Sequence, residues 1–537
     1  MNYFDLLYAK KIGGGGGGGG NVPAVRKDVN FFDYDGTIVY SYTAAEFAEL
    51  SAMPVNPSHD GLTAQGWNWS LSDAKAYAAS YGKLDVGQMY ASDTPDGATL
   101  LHIRLGEGRL KPYLGLTGNS SGTAVSIDWG DGSAAESVAL DANTVYTPHE
   151  YSSAGEYVIA VSVTSGSISF NGDSDYDAGS NIFRKSGTPN DRDDIVYQNV
   201  LMKIEIGNAV IFIGDYAFQK CYSLTSVTMS SAVTSIGTYA FQNCNSLTSI
   251  TIPNSVTSID EYAFNYCCSL NHVTFPDSID NIGTYSFGDC YSLKTIAISN
   301  NSVTSINANT FDRCFSLTSV TIPDSVIFIG DGAFSGCFTL TSVTIPNSVT
   351  FIDQYVFDEC HLLTCLTIPD SITSLYSSFY GCYSLKVITM PDSITSIYSY
   401  AFQGCFSLTT ITISKSVTSI YDNILNMCYG VGLIRFEGIT PPTVSNINAW
   451  RDIPTDCIIL APALVVDLYM NGTNYPDKNT YKYIGFATYG AGETLPTVTT
   501  DETHTLTWYA TQADAVAQTN PITQGNGSEV YAVATAV

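Results

Sequence analysis

The sequence has little charge and very little of the basic kind. Of its 537 residues, 13% are Asp, Glu, Lys or Arg, and 22 Lys and Arg stand against 50 Asp and Glu. The net charge of -28 repels phosphate backbones and anionic headgroups, which argues against nucleic-acid binding and against attraction to a membrane surface. No run approaches the roughly 18 to 20 apolar residues that cross a bilayer, so membrane insertion is not expected. Histidines number 6, and the 13 cysteines include no C-x-x-C pair, so no zinc site is completed and neither a metal nor a cofactor is expected. The start, MNYFDLLYAKK, lacks the basic and continuous apolar regions of a secretory signal and runs into Gly13 to Gly20 instead of a cleavage site. What fills the chain is Ser, Thr, Gly, Tyr and Asn, the balance of an extracellular β-rich scaffold. Its length requires several domains or an elongated array.

An internal repeat dominates from residue 201. Cysteines at 221, 244, 267, 290, 314, 337, 360, 382, 405 and 428 are successively 23, 23, 23, 24, 23, 23, 22, 23 and 23 residues apart. Phe stands three positions before nine of them, from Phe218 to Phe402, with Leu425 before the last; Leu224 to Leu408 stand three positions after. In one copy, Leu247, Ile250 and Ile252 alternate with Thr248, Ser249 and Thr251, which predicts a short strand with aliphatic side chains inward and hydroxyls outward. Pro253 ends the strand, Val256 and Ile259 re-enter the core, and AFNYC supplies a single helical or 3₁₀ turn. Such a unit cannot bury its own apolar side, so the copies must stack into a solenoid, with ten rungs spanning on the order of 50 Å. The ten cysteines at one rung position are expected to be buried, unpaired thiols acting as small hydrophobes.

This pattern, Ile252-Pro253, Ser255-Val256, Ile259, Ala263-Phe264, Cys267 and Leu270, resembles the BspA-like, or Treponema-type, leucine-rich repeat. The resemblance covers about 235 residues and implies recognition without chemistry, since members are mostly surface or secreted binding proteins. Residues 113–170 resemble a PKD domain, an immunoglobulin-like β-sandwich, through Trp129-Gly130-Asp131-Gly132, His149-Glu150-Tyr151 and Gly155-Glu156-Tyr157-Val158. Asp128 and Asp131 there are read as turn formers, not calcium ligands. The stretch FFDYDGTIV resembles the nucleophile loop of haloacid-dehalogenase phosphotransferases, with Asp33 and Asp35 in the two carboxylate positions. The remaining catalytic groups of that family are absent from the sequence. IGDGAF at 329–334 mimics the late acidic motif but is an ordinary repeat turn, so no enzyme is expected and Asp33 and Asp35 are read as turn residues between two strands.

The predicted fold class is mainly β and multidomain. Residues 1–12 form a docking peptide and 13–20 a polyglycine tether. Residues 21–112 form a small α+β module with helices near Thr43 to Leu50 and Leu71 to Tyr81. A sandwich over 113–170, a linker and N-terminal cap over 171–200 and repeats over 201–435 follow, then a C-terminal cap over 436–487 and a small β domain over 488–537. This order of segments resembles structural proteins of tailed bacteriophages or prophages of gut bacteria. The resemblance implies attachment to other virion proteins through Tyr3, Phe4, Leu6 and Leu7, contact with a host surface protein or polysaccharide, and possible homo-oligomers. A bacterial cell-surface adhesin or a purely architectural part is the alternative. Outward positions where the Ser/Thr pattern breaks, Asn271, His272, Lys294 and Lys386, are the candidate ligand contacts, beside Cys365. The aromatic row after the cysteines, Tyr222, Tyr291, Phe315, Phe338, Tyr383 and Phe406, is expected to pack against neighbouring rungs.

Overall fold

In a computed structural model of the chain, the described residues are 27–32, 38–57, 62–67, 71–81, 84–92, 97–107, 109–171, 182–184, 197–298, 302–462, 474–477, 482–488, 499–501, 504–509 and 529–536. Tyr3, Phe4, Leu6, Leu7, Asp33, Asp35 and the segment Val465 to Met470 lie outside them.

The front module begins with β1 (Val29–Phe32) and β2 (Ile38–Tyr42), which pair antiparallel with Val29 opposite Tyr42. Helix α1 (Ala44–Ala48) starts at a reciprocal cap: Glu46 N–H donates to Thr43 Oγ1 (3.2 Å) and Thr43 N–H donates to Glu46 Oε2 (2.8 Å). After β3 (Leu62–Trp67), α2 (Leu71–Tyr81) and β4 (Leu84–Ser92), the four strands order as β2-β1-β4-β3, with β1 parallel to β4. Alternation on β1 sends Val29 and Phe31 to one side, where they meet Phe47, Trp67, Ala74, Ala78, Leu84 and Val86 in a small separate core.

A two-sheet β-sandwich follows. One sheet has the order β5-β10-β7-β8, built from β5 (Thr99–Leu105), β7 (Thr123–Asp128), β8 (Glu136–Leu140) and β10 (Gly155–Ser165); the other joins β6 (Tyr113–Gly118), β9 (Thr144–Pro148), β11 (Ile168–Phe170) and β12 (Phe183–Arg184). Trp129 is buried; His149 stacks on it at 4.7 Å and the Tyr151 hydroxyl donates to its carbonyl oxygen (2.9 Å). Gly130 is required: its φ is +76° and a Cβ would stand 2.3 Å from Val158 O. Asp128 Oδ1 accepts from Gly130 N–H, and Asp131 Oδ1 from Ser133 N–H, so both carboxylates are engaged in the turn, as read from the sequence. The hydrogen bonds of Ser133 and His149 hold the Asp131 carboxyl well below the usual carboxylate range.

The sandwich runs directly into the solenoid. β5 pairs antiparallel with β13 (Leu201–Ile206), and β11 pairs parallel with β14 (Val210–Ile213), so each sandwich sheet continues as one sheet of the repeat array. Each later turn adds a strand of three or four residues to one sheet, such as Ser249–Thr251 or His272–Thr274, and a two-residue strand to the other, such as Ser258–Ile259. Pairing is parallel and in register, Ile250 beside Val273 beside Ile296. The array reaches about 11 turns, because Leu201–Ile206 forms a rung ahead of the first cysteine. The ladders break at three places: the short-strand row between Ile282 and Ile306, 24 residues apart, and between Ile352 and Leu375, 23 apart, and the long-strand row between Leu366 and Ile388, 22 apart. At the far end, Ile458–Pro462 pairs parallel with Lys482–Thr488, which pairs antiparallel with Glu529–Ala536, extending the long-strand sheet. Trp450 and Tyr475 cover the last core layer against Phe436.

The third side of each turn is not a helix. It is a tight turn hydrogen-bonded to the next one, with Phe241 N–H donating to Ala263 O (2.7 Å) and Phe264 N–H to Ser286 O (2.7 Å). Two positions per turn take the left-handed conformation, Tyr262 (φ 57°) and Tyr266 (φ 60°) in one copy, Gly332 (58°) and Gly336 (68°) in another. Non-glycine residues there cost about 1–2 kcal/mol each, which stacking offsets. The residue after Phe218, Phe241, Phe264 and Phe311 is buried and polar. Gln219 Nε2 donates to Gln242 Oε1 (2.7 Å), Gln242 Nε2 to Asn265 Oδ1 (3.1 Å) and Asn265 Nδ2 to Gly288 O (3.0 Å). Asp312 and Asp358 take the same position in later turns. Burial pushes the Asp312 carboxyl up to about 6, and burial with repulsion from Glu359 pushes Asp358 up to about 7.

These raised values fix a sign. In the unfolded chain a carboxyl ionises near pH 4, whereas in the fold Asp358 holds its proton to about pH 7, so the fold loses stability as pH rises through that window. Asp358→Asn, which places an amide where Asn265 already sits, should raise unfolding stability by about 1–3 kcal/mol at pH 8 and leave it unchanged at pH 4. Urea unfolding at the two pH values measures it; equal effects at both would contradict the assignment.

Candidate functional site

The outward side of the long-strand sheet consists of two columns of residues. The first runs Ser226, Ser249, His272, Thr295, Ser319, Ser342 and Cys365, and resumes at Val387 and Thr410; the second runs Thr228, Thr251, Thr274, Ala297, Thr321, Thr344 and Thr367, then Thr389 and Thr412. The position just before each strand forms a third row. There the hydroxyls of Thr225, Thr248, Thr318, Thr341, Thr364 and Thr409 donate to the carbonyl of the preceding turn at 2.9 to 3.4 Å. Asn271, Lys294 and Lys386 occupy this third row and forgo that bond.

The expected ligand residues therefore divide. Asn271, His272 and Lys294 sit on adjacent rungs, while Lys386 stands four rungs beyond Lys294, about 19 Å along the ladder. Lys294 and Lys386 are exposed. His272 points outward from the solenoid as its spacing predicts, yet it is fully buried, with Nδ1 2.6 Å from Thr295 Oγ1 and Nε2 3.0 Å from Thr274 Oγ1. The cause is the front module: β4 lies across the long strands from Ser226–Met229 to Ser319–Thr321. Thr251, Thr274, Thr295 and Thr321 are buried with His272, while Cys365, Thr367, Val387 and Thr389 are exposed. Nothing in the repeat itself signals this cover, because the repeat specifies only which side faces away from its own core.

The aromatic row packs as expected. Tyr291, Phe315, Phe338, His361, Tyr383, Phe406 and Tyr429 stack rung on rung with centroids 4.1 to 5.9 Å apart and planes within 16°. Their faces are spent on one another, leaving edges to solvent, so the row offers no platform on which a sugar ring could stack.

The thiols are free, and they have a second task that composition does not disclose. From Cys244 to Cys428, each Sγ–H in the ladder donates to the carbonyl oxygen of the aromatic residue in the turn before, at 3.0 to 3.4 Å. A cysteine both fills a small apolar site and gives its proton to a buried carbonyl that also accepts a backbone N–H, as Phe241 O does from Cys244. Burial pushes the ladder thiols from Cys244 to Cys405 up, and Cys457, outside the ladder, to about 12, so these stay protonated and unreactive. Thiol titration should find Cys365 reacting quickly in the native protein, Cys268 more slowly and the eleven buried cysteines only after unfolding. A total below 13 under denaturing, non-reducing conditions would contradict the free-thiol assignment.

Among the described residues no group of three or more His, Cys, Asp or Glu could hold a metal, and no helix is long and apolar enough to cross a membrane.

Residues 193–315 and 304–431 match the family described as the BspA type leucine rich repeat region, in six copies. Among solved structures, a leucine rich cell surface protein from Faecalibacterium prausnitzii A2-165 is 32% identical, covering 45% of this chain and 80% of that one, with a TM-score of 0.31. A leucine-rich repeat protein from Eubacterium ventriosum ATCC 27560 is 20% identical, covering 52% and 91%, with a TM-score of 0.34. The pneumococcal vaccine antigen PcpA is 17% identical, covering 52% and 80%, with a TM-score of 0.37. No curated protein matches the sequence. The cysteine-marked register lies within the matched span, and through this region the chain belongs to the BspA-type leucine-rich repeat family.

Proposed function

We propose that the protein is a non-enzymatic adhesion protein of a bacterial cell surface whose solenoid presents the open part of its outward face to a host-surface protein or polysaccharide. The observation that carries this reading is the uncovered stretch of the face. Across Ser342, Cys365, Val387 and Thr410 in one column and Thr344, Thr367, Thr389 and Thr412 in the other, it offers hydroxyls, a thiol and one aliphatic side chain, with no carboxylate. Lys386 stands exposed at its rim. In a chain of net charge -28 this is a local relief from negative potential, suited to neutral or acidic partners.

Family membership supports the cell surface, since BspA-type proteins are mostly surface or secreted binders. Attachment to a virus particle through Tyr3, Phe4, Leu6 and Leu7 rests on the order of segments alone, and the family match favours the cell surface over it.

Binding of the purified full chain to intact host epithelial cells and to a polysaccharide panel tests the proposal. Lys386→Glu combined with Val387→Glu should weaken binding roughly tenfold or more, as expected when a central contact is lost. Thr350→Glu, an exposed position before the short-strand row, should leave it unchanged. No binding by the parent chain, or equal binding by the double variant, would overturn the assignment.

A further inference from the structure

We propose that the front module, through β4, acts as a displaceable cover that holds the five long-strand rungs from Ser226–Met229 to Ser319–Thr321 shut against ligands while leaving the rungs from Ser342 onward open. Its regulatory meaning rests on the recognition role proposed above; the cover itself rests on three independent observations.

The first is the change in burial along one pair of columns. Thr251, Thr274, Thr295 and Thr321 are buried where β4 crosses, Ser226, Ser249, Ser319, Ser342 and Thr344 are half-buried, and Cys365, Thr367, Val387 and Thr389 are exposed beyond the crossing. The second is that the front module has a core of its own. Val29, Phe31, Phe47, Trp67, Leu84 and Val86 form a cluster distinct from the single core that runs from Leu101 to Tyr475. Among the described residues the two cores share no member, so lifting one body off the other opens neither of them.

The third is the chemistry beneath β4. The covered surface is hydroxyls and the His272 imidazole, and among the described residues Thr228 Oγ1 and Asn271 Oδ1 are buried there without a hydrogen-bond partner. Each such group costs about 1–3 kcal/mol while covered and regains water when the cover lifts. The solenoid side of the contact is thus polar and, among the described residues, incompletely satisfied, the kind of surface that a better-matched partner can occupy. Six residues, 93–98, separate β4 from β5 along the chain.

The test uses the full chain carrying Thr274→Cys, with Thr321→Cys as a second variant in case the first does not fold. Labelling by a maleimide is followed site by site by peptide mass spectrometry, with native Cys365 as the open reference and Cys244 and Cys267 as reporters of solenoid integrity. In native buffer the new thiol should label roughly tenfold or more slowly than Cys365. In about 1 M urea it should label while Cys244 and Cys267 remain unmodified. Labelling at the Cys365 rate in native buffer would mean that there is no cover; labelling only together with the ladder thiols would mean that the module is an inseparable part of the fold. Either result overturns the proposal, and neither depends on whether the protein binds a host surface.

Discussion

A single turn of this solenoid has no inside. One Phe, one Cys and a few aliphatic side chains point the same way, and only the turns before and after can remove them from water. Every other feature follows from that dependence. The strand pairing is parallel and in register because identical side chains must lie over one another, as Phe241, Phe264 and Phe287 do at 5.1 to 5.2 Å. The cysteine suits the site above each aromatic residue because that site is small and contains a carbonyl with room to accept a second hydrogen bond. Left-handed tyrosines are tolerated because the stack holds them there. The first and last turns have one neighbour too few, so the sandwich and the final strands are built onto the two ends of the sheets.

Much of this was legible in the sequence, and the reason is physical. A 23-residue period repeated ten times converts a weak local preference into a clear one, and it showed which side of each strand faces the core, where the turns fall and why the thiols stay unpaired. The spacings of 24 and 22 accompany two of the three places where the ladders break, while the third, between Ile352 and Leu375, keeps the ordinary spacing of 23. What escaped was everything that depends on contacts between unlike parts. Trp129 and Tyr151 announced a sandwich, but no residue announced that β5 and β11 would continue as solenoid strands. His272 announced an outward position, but its burial depends on β4, far away in sequence. The thiol hydrogen bond escaped for another reason: a buried cysteine reads as a hydrophobe whether or not its proton has an acceptor.

The candidate site follows the same division. Its chemistry, a sheet of hydroxyls interrupted by lysines, can be read along the repeat. Its extent cannot, because two identical rungs differ only in what lies above them. Thr274 and Thr367 hold equivalent places in the sequence pattern, and one is buried while the other meets solvent. The stretch FFDYDGTIV is the converse case: it resembles a phosphotransferase loop in sequence, and its Asp33 and Asp35 lie outside the described residues.

The continuity of the sheets from the sandwich to the last strand also has a mechanical side. Strands lie across the long axis and the hydrogen bonds between rungs lie along it, so tension on the chain ends loads those bonds one rung at a time. Freeing one 23-residue turn gives up about 4.8 Å of stack and releases roughly 75 Å of chain. A protein holding two surfaces together in flow would lengthen stepwise from its ends, yielding under load long before any covalent bond or the remaining stack is strained.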